Sequence, residues 1–210
     1  MGNTTRDIRR RIKSVRNTSQ ITKAMQMIAA AKMRKAQQRA IDARPYAQML
    51  NRVLVSVTKN TEDELHPLLQ ARPIKHTLVF LVGTDKGLCG GLNTNLLREV
   101  QSFDRETTSF IASGRKAVDF LARTKRPLLA DFPMGDTPDY AQVKPVAQFI
   151  IEKFLAGECD RVVVLYTDFI NTLLQKPMVN ELLPIASFQM GGKPVEKEEA
   201  VEEDSMSSFK

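Results

Sequence analysis

The feature that most limits what this chain can fold into is its first sixty residues, which read as one long, basic helix. Between Thr5 and Val57 there is no glycine and a single proline, Pro45. Seam positions, mostly apolar or small, recur in alternating steps of four and three: Ile8, Ile12, Val15, Ser19, Thr22, Gln26, Ala29, Met33, Ala36, Ala40, Ala43, Ala47, Leu50, Leu54 and Val57. A repeat of about 3.5 residues is the seam of a coiled coil. At about 1.5 Å per residue this helix spans roughly 75 Å, further than a globular core of such a chain reaches. Its seam must therefore be buried on a partner helix or on other subunits. The alanines in the middle of the seam require the partner backbone to come close. The expectation is a shaft or arm attached to a small domain.

Charge follows the same division. The chain carries a net charge of +7 over 210 residues. Residues 1–52 hold 13 Lys or Arg against Asp7 and Asp42, a net +11, so the remainder carries −4. Positive charge concentrated on one helix points to a polyanionic partner: nucleic acid, a lipid surface or acidic protein loops. A solvated helical face is the plainer alternative. No run of 18 apolar residues is present and the N-terminus has no apolar signal core, so neither a membrane span nor an export signal is expected. Cys89 and Cys159 show no metal-ligand spacing and read as reduced thiols.

Thr4, Thr5 and Asp7 are suited to start the helix, and the seam resumes in phase at Ala47 after Pro45, which predicts a kinked continuation rather than a stop. Residues 61–74 read as a linker. A different regime occupies 75–190. The apolar run 77–82 and the run 161–166 read as buried strands, 107–112 and 127–130 as further strands, and 178–185 as an edge strand bracketed by Pro177 and Pro184. Residues 92–103, 114–124 and 143–155 carry helical spacing. Strands alternating with helices predict a three-layer, Rossmann-like α/β domain with a mainly parallel sheet. Residues 191–210 are acidic and lack the apolar residues a core needs, so a solvated, disordered tail is expected.

The segment Gly83-Thr84-Asp85-Lys86-Gly87-Leu88-Cys89-Gly90-Gly91 follows a strand and opens a helix, the place of a phosphate loop. The detailed patterns fail. Leu88, Cys89 and Gly90 stand where a P-loop begun at Gly83 needs Gly, Lys and Ser or Thr, and Cys89 and Leu92 stand where the dinucleotide fingerprint needs glycine. Gly83, Asp85, Gly87, Gly90 and Gly91 therefore read as a structural turn. His66 and His76 sit in no ligand-like cluster, Cys89 has no His or Asn beside it in sequence, and Asp85, Asp131 and Asp168 read as ordinary strand-end residues. No catalytic residue, cofactor or metal site is expected.

Several strings together resemble one family. Ile21-Thr22-Lys23-Ala24-Met25, Ala31-Lys32-Met33-Arg34-Lys35 and Arg44-Pro45-Tyr46 resemble the N-terminal helix of the gamma subunit of rotary F-type ATP synthases. Thr84-Asp85-Lys86-Gly87-Leu88-Cys89-Gly90-Gly91-Leu92-Asn93 resembles that family's strand-to-helix turn, and Phe169-Ile170-Asn171-Thr172 its later strand end. The resemblance implies a central rotor stalk, with N- and C-terminal helices coiled antiparallel inside a ring of alpha and beta subunits. It implies an α/β domain seated on the membrane ring of proton-carrying subunits, beside the epsilon subunit. It also implies a non-catalytic role, coupling proton flow to ATP synthesis or hydrolysis by rotation. Contacts to the alpha/beta hexamer are implied for Lys23, Met25, Lys32, Arg34 and Lys35. Shaft packing is implied for Ile8, Ile12, Val15, Ala29, Met33, Ala36, Ala40 and Ala43. With no presequence, the implied location is the cytoplasmic face of a bacterial inner membrane. The family's C-terminal helix has no counterpart before Lys210, so the seam is expected to fray or self-associate in this chain alone.

The rival from another class is a nucleic-acid-binding basic arm on an α/β domain. Against it, the basic residues share the helix with an uninterrupted seam, whereas a fork-type reader separates the two.

Overall fold

The computed structural model describes residues 4–59, 66–135 and 137–185. The expected tail at 191–210 lies outside them, as does the first part of the expected linker. The chain divides into two compact units, residues 1–50 and 51–210.

Helix α1 runs Thr5–Lys59 without interruption. Thr4 begins it: its carbonyl accepts from the N–H groups of Asp7 and Ile8 (2.8 and 3.2 Å), and its hydroxyl donates to the Asp7 carboxylate. Asp7 lies in the first turn, where negative charge opposes the positive end of the helix dipole. Pro45 is inside the helix. Among residues 4–50 only Gln37 and Ala47 are half-buried, and every other side chain is exposed.

The second unit is built on a five-stranded sheet in the order β3-β2-β1-β4-β5. The strands are β1 (Thr77–Val82), β2 (Thr108–Ser113), β3 (Leu128–Asp131), β4 (Arg161–Phe169) and β5 (Gln175–Leu183). β1 pairs in parallel with β2 and β4, and β2 with β3; β5 runs antiparallel to β4 at the edge. Pro177 is tolerated within β5 because that strand has a free side. Helices α2 (Leu92–Glu99), α3 (Arg115–Arg123) and α4 (Tyr140–Leu155) complete three layers.

Alternation along the strands divides the core in two. Val79, Leu81, Phe110, Ala112, Val163 and Leu165 face one side, where α2 supplies Leu96 and α3 supplies Ala117 and Leu121. Leu78, Ile111 and Val162 face the other, where α4 supplies Val146, Ile150 and Phe154. The α/β architecture is the one expected from sequence, with local differences. The helix expected over 92–103 ends at Glu99 and tightens into a 3-10 turn at Val100–Ser102. Helix α4 begins three residues before Val143, because Asp139 accepts from the Gln142 N–H (2.9 Å) and caps it there. Strand β4 continues past Tyr166 to Phe169, and β5 starts at Gln175. The cause is a tight turn in which the Asn171 carboxamide accepts from the N–H groups of Leu173 and Leu174 (2.9 and 2.8 Å). Residues 66–74 have no regular structure, yet Leu69 is buried and the Arg72 guanidinium lies 5.1 Å from the centre of the Phe154 ring.

Candidate functional site

Two places carry the residues singled out from sequence. The first is α1. Lys23, Met25, Lys32, Arg34 and Lys35 are all exposed on it. So are the seam positions Ile8, Ile12, Val15, Ala29, Met33, Ala36, Ala40 and Ala43. Val15 and Met33 leave 67% and 55% of their surface open, and further large apolar side chains such as Ile8, Ile12 and Met25 are exposed on the same helix.

The second place is the turn after β1. Gly83 lies against α3: a Cβ there would meet the Ala117 Cβ at 2.8 Å. Gly114 lies against Gly83: a Cβ there would stand 2.5 Å from the Gly83 carbonyl oxygen, and its φ of +93° is one that glycine alone adopts freely. The two glycines let the ends of β1 and β2 cross at backbone contact, where the Gly83 N–H donates to the Ser113 carbonyl (2.8 Å). The loop then closes over the start of α3. The Arg115 N–H donates to Asp85 Oδ1 (3.1 Å), and the Lys116 N–H donates to the Thr84 carbonyl (2.9 Å). The glycine-rich loop itself opens α2, and these two bonds fasten it sideways to the start of α3.

The rest of the turn is held from within. The Thr84 hydroxyl lies 2.8 Å from the Lys86 carbonyl and 2.9 Å from Asn93 Oδ1, and the Asn93 amide donates to Cys89 Sγ (3.2 Å). Gly90 adopts φ +62°, and Gly87 and Gly91 leave room for a Cβ at ordinary contact distances. Gly114 and Arg115 were not singled out from sequence, since their roles depend on β1 and β2 lying side by side; Asn93, quoted only as part of the family string, turns out to reach Cys89 from one helical turn further on. Asp131 ends β3, and Asp168 lies within β4 opposite Lys176, so these two and Asp85 do not converge. Cys89 is exposed, whereas Cys159 is buried and its thiol is pushed up to about 11 by burial, with Asp160 and Glu158 adding to the rise. Among the described residues no cluster of His, Cys, Asp and Glu could hold a metal ion, and no helix is long and apolar enough to cross a membrane.

The sequence profile of the ATP synthase family matches residues 4–209. The chain belongs to the ATP synthase gamma chain family. The gamma chain of Methylacidiphilum infernorum is 44% identical over 211 residues, covering 98% of this chain and 71% of that one. That of Opitutus terrae is 45% identical over 185 residues, covering 88% and 63%, and that of Desulfitobacterium hafniense 47% over 184 residues, covering 86% and 66%. The chain thus spans about two thirds of the length of these curated relatives. Among solved structures it is similar to a chain in the central stalk and c-ring of Tetrahymena thermophila mitochondrial ATP synthase: 26% identity, TM-score 0.62, covering 78% of this chain and 72% of that one. A rotor chain of the Euglena gracilis mitochondrial enzyme shares the fold at 21% identity and TM-score 0.58. These gamma-chain and central-stalk matches give no support to the nucleic-acid arm.

Proposed function

We propose that the chain serves as the central rotor stalk of an F-type ATP synthase, coupling proton flow through the membrane ring to ATP synthesis or hydrolysis in the alpha/beta hexamer. The observation that carries this reading is α1, a basic helix whose seam positions from Ile8 to Ala43 are all exposed, in a chain of the gamma family. Its partners are the alpha and beta subunits around the helix, and the epsilon subunit and c-ring at the α/β domain. Lys23, Met25, Lys32, Arg34 and Lys35 form the contact with acidic loops of the hexamer. The chain is non-catalytic, and its α/β domain binds no nucleotide. Support comes from the loop 83–91 that opens α2, where Leu88, Cys89 and Gly90 stand in place of the Gly, Lys and Ser or Thr of a P-loop. The place of work is the cytoplasmic side of a bacterial inner membrane, as a peripheral subunit.

The test is reconstitution with alpha and beta subunits of the same organism. The chain is expected to co-elute with the hexamer and to raise its turnover of magnesium-ATP, while binding no magnesium-ATP alone in calorimetry. Failure to associate with the hexamer, or tight nucleotide binding by the isolated chain, would sink the reading.

A further inference from the structure

We infer that α1 is a jointed rod, with a compliant segment at residues 14–22 between two stiffer stretches. The first support is local propensity. Seven of the nine residues from Ser14 to Thr22 are Ser, Thr, Asn or β-branched: Ser14, Val15, Asn17, Thr18, Ser19, Ile21 and Thr22. These types lose rotamer freedom in a helix or compete for its backbone. From Lys23 to Ala40 the composition reverses, and every residue except Ile28 is Ala, Met, Gln, Lys or Arg, the strongest helix formers.

The second support is geometric. The Thr18 hydroxyl donates to the Ser14 carbonyl (3.0 Å), and the Thr22 hydroxyl donates to the Thr18 carbonyl (2.9 Å). Hydroxyls that back-bond one turn earlier weaken the helix ladder they share and favour bending. Two such bonds in succession fall on consecutive turns of one helical face. The third support is the seam. Ser19 and Thr22 replace the apolar residues found at Ile8, Ile12 and Val15, so a partner covering the seam gains little burial at this level. The side chains of 14–22 are all exposed, and among the described residues no packing stiffens what propensity leaves soft.

The joint gives the first turns of α1 freedom to tilt against the alanine-rich stretch. Its mechanical meaning rests on the rotor reading: an end turning inside asymmetric surroundings can follow them without shifting the whole helix. Amide exchange of the full 210-residue chain tests the joint and requires no catalysis, so its failure is separable from failure of that reading. The expected profile has a local maximum over 14–22, faster than 9–13, beyond the orphaned amides of the first turn, on one side and 23–40 on the other. Replacing Asn17, Thr18 and Ser19 together by Ala is expected to slow exchange there about tenfold, because three favourable propensity changes add. A flat profile, or a smooth decline from Thr5 as plain end-fraying gives, overturns the joint. So does a local maximum that the triple substitution leaves unchanged.

Discussion

Asp85 joins two loops that lie thirty positions apart, since its carboxylate takes the first N–H of α3. Losing a capping oxygen of this kind costs about 1 kcal/mol. Asp85→Ala is expected to lower the thermal midpoint of the α/β domain by a few degrees, and an unchanged midpoint would show that water replaces the cap at no cost. Gly114 is less forgiving. Gly114→Ala would combine a left-handed backbone with a Cβ 2.5 Å from the Gly83 carbonyl oxygen. Strain and displacement together are expected to exceed about 2 kcal/mol, read as a lower urea midpoint at unchanged slope. Asp160 acts at the other end of β1. The His76 and Lys75 N–H groups donate to it (3.0 and 2.9 Å) and hold its carboxyl below the ordinary carboxylate value, the His76 bond most strongly. The native state therefore binds that proton less readily than the unfolded chain. Its contribution is complete above the ordinary value near pH 4 and is lost as pH falls through the depressed native one. Asp160→Asn should flatten that part of the acid limb in urea titrations carried from about pH 5 down through and below pH 4. An acid limb of the same steepness in the variant would assign it to other carboxylates.

Among the elements, the ones set by local pattern were legible and the ones set by pairing were not. The apolar run 77–82 is β1 to the residue, because a buried parallel strand is a closed block of apolar side chains. The helix over 92–103 was read too long, since Val100 keeps the apolar spacing while the backbone tightens beneath it. The far ends of β4 and β5 were missed because polar residues such as Asp168 and Lys176 enter the ladder by facing each other across an antiparallel pair. The loop 83–91 was legible as the link between a strand and a helix, but the bond that fastens it was not: Asp85 finds its partner only when β1 and β2 are neighbours. The length of α1 was legible from a stretch without glycine, and a helix that no other described element of its unit covers has a consequence. Between Thr5 and Leu50 its amides are expected to exchange at least a hundredfold faster than those of β1, β2 and β4 in the dilute chain. Equal protection would mean that α1 is already covered, for example by a second copy.

At the scale of the whole molecule, the separation of charge is the property with the widest reach. Residues 1–52 carry +11 and the remainder −4. Surface charge of this kind changes partner encounter more than fold. If the helix meets acidic loops of the hexamer, reversing two charges on its exposed face should weaken assembly without unfolding the chain. Arg34→Glu combined with Lys35→Glu is expected to raise the dissociation constant for the alpha/beta hexamer at least tenfold at low salt. The gap should narrow as salt approaches 0.5 M, where screening falls to a few ångströms. Thermal unfolding of the α/β domain should be the same in both chains. A variant that assembles as tightly as the parent at low salt would show that the seam, and not the basic face, carries the contact. A variant whose deficit persists undiminished at high salt would place these side chains in packed, desolvated contact instead of in long-range attraction.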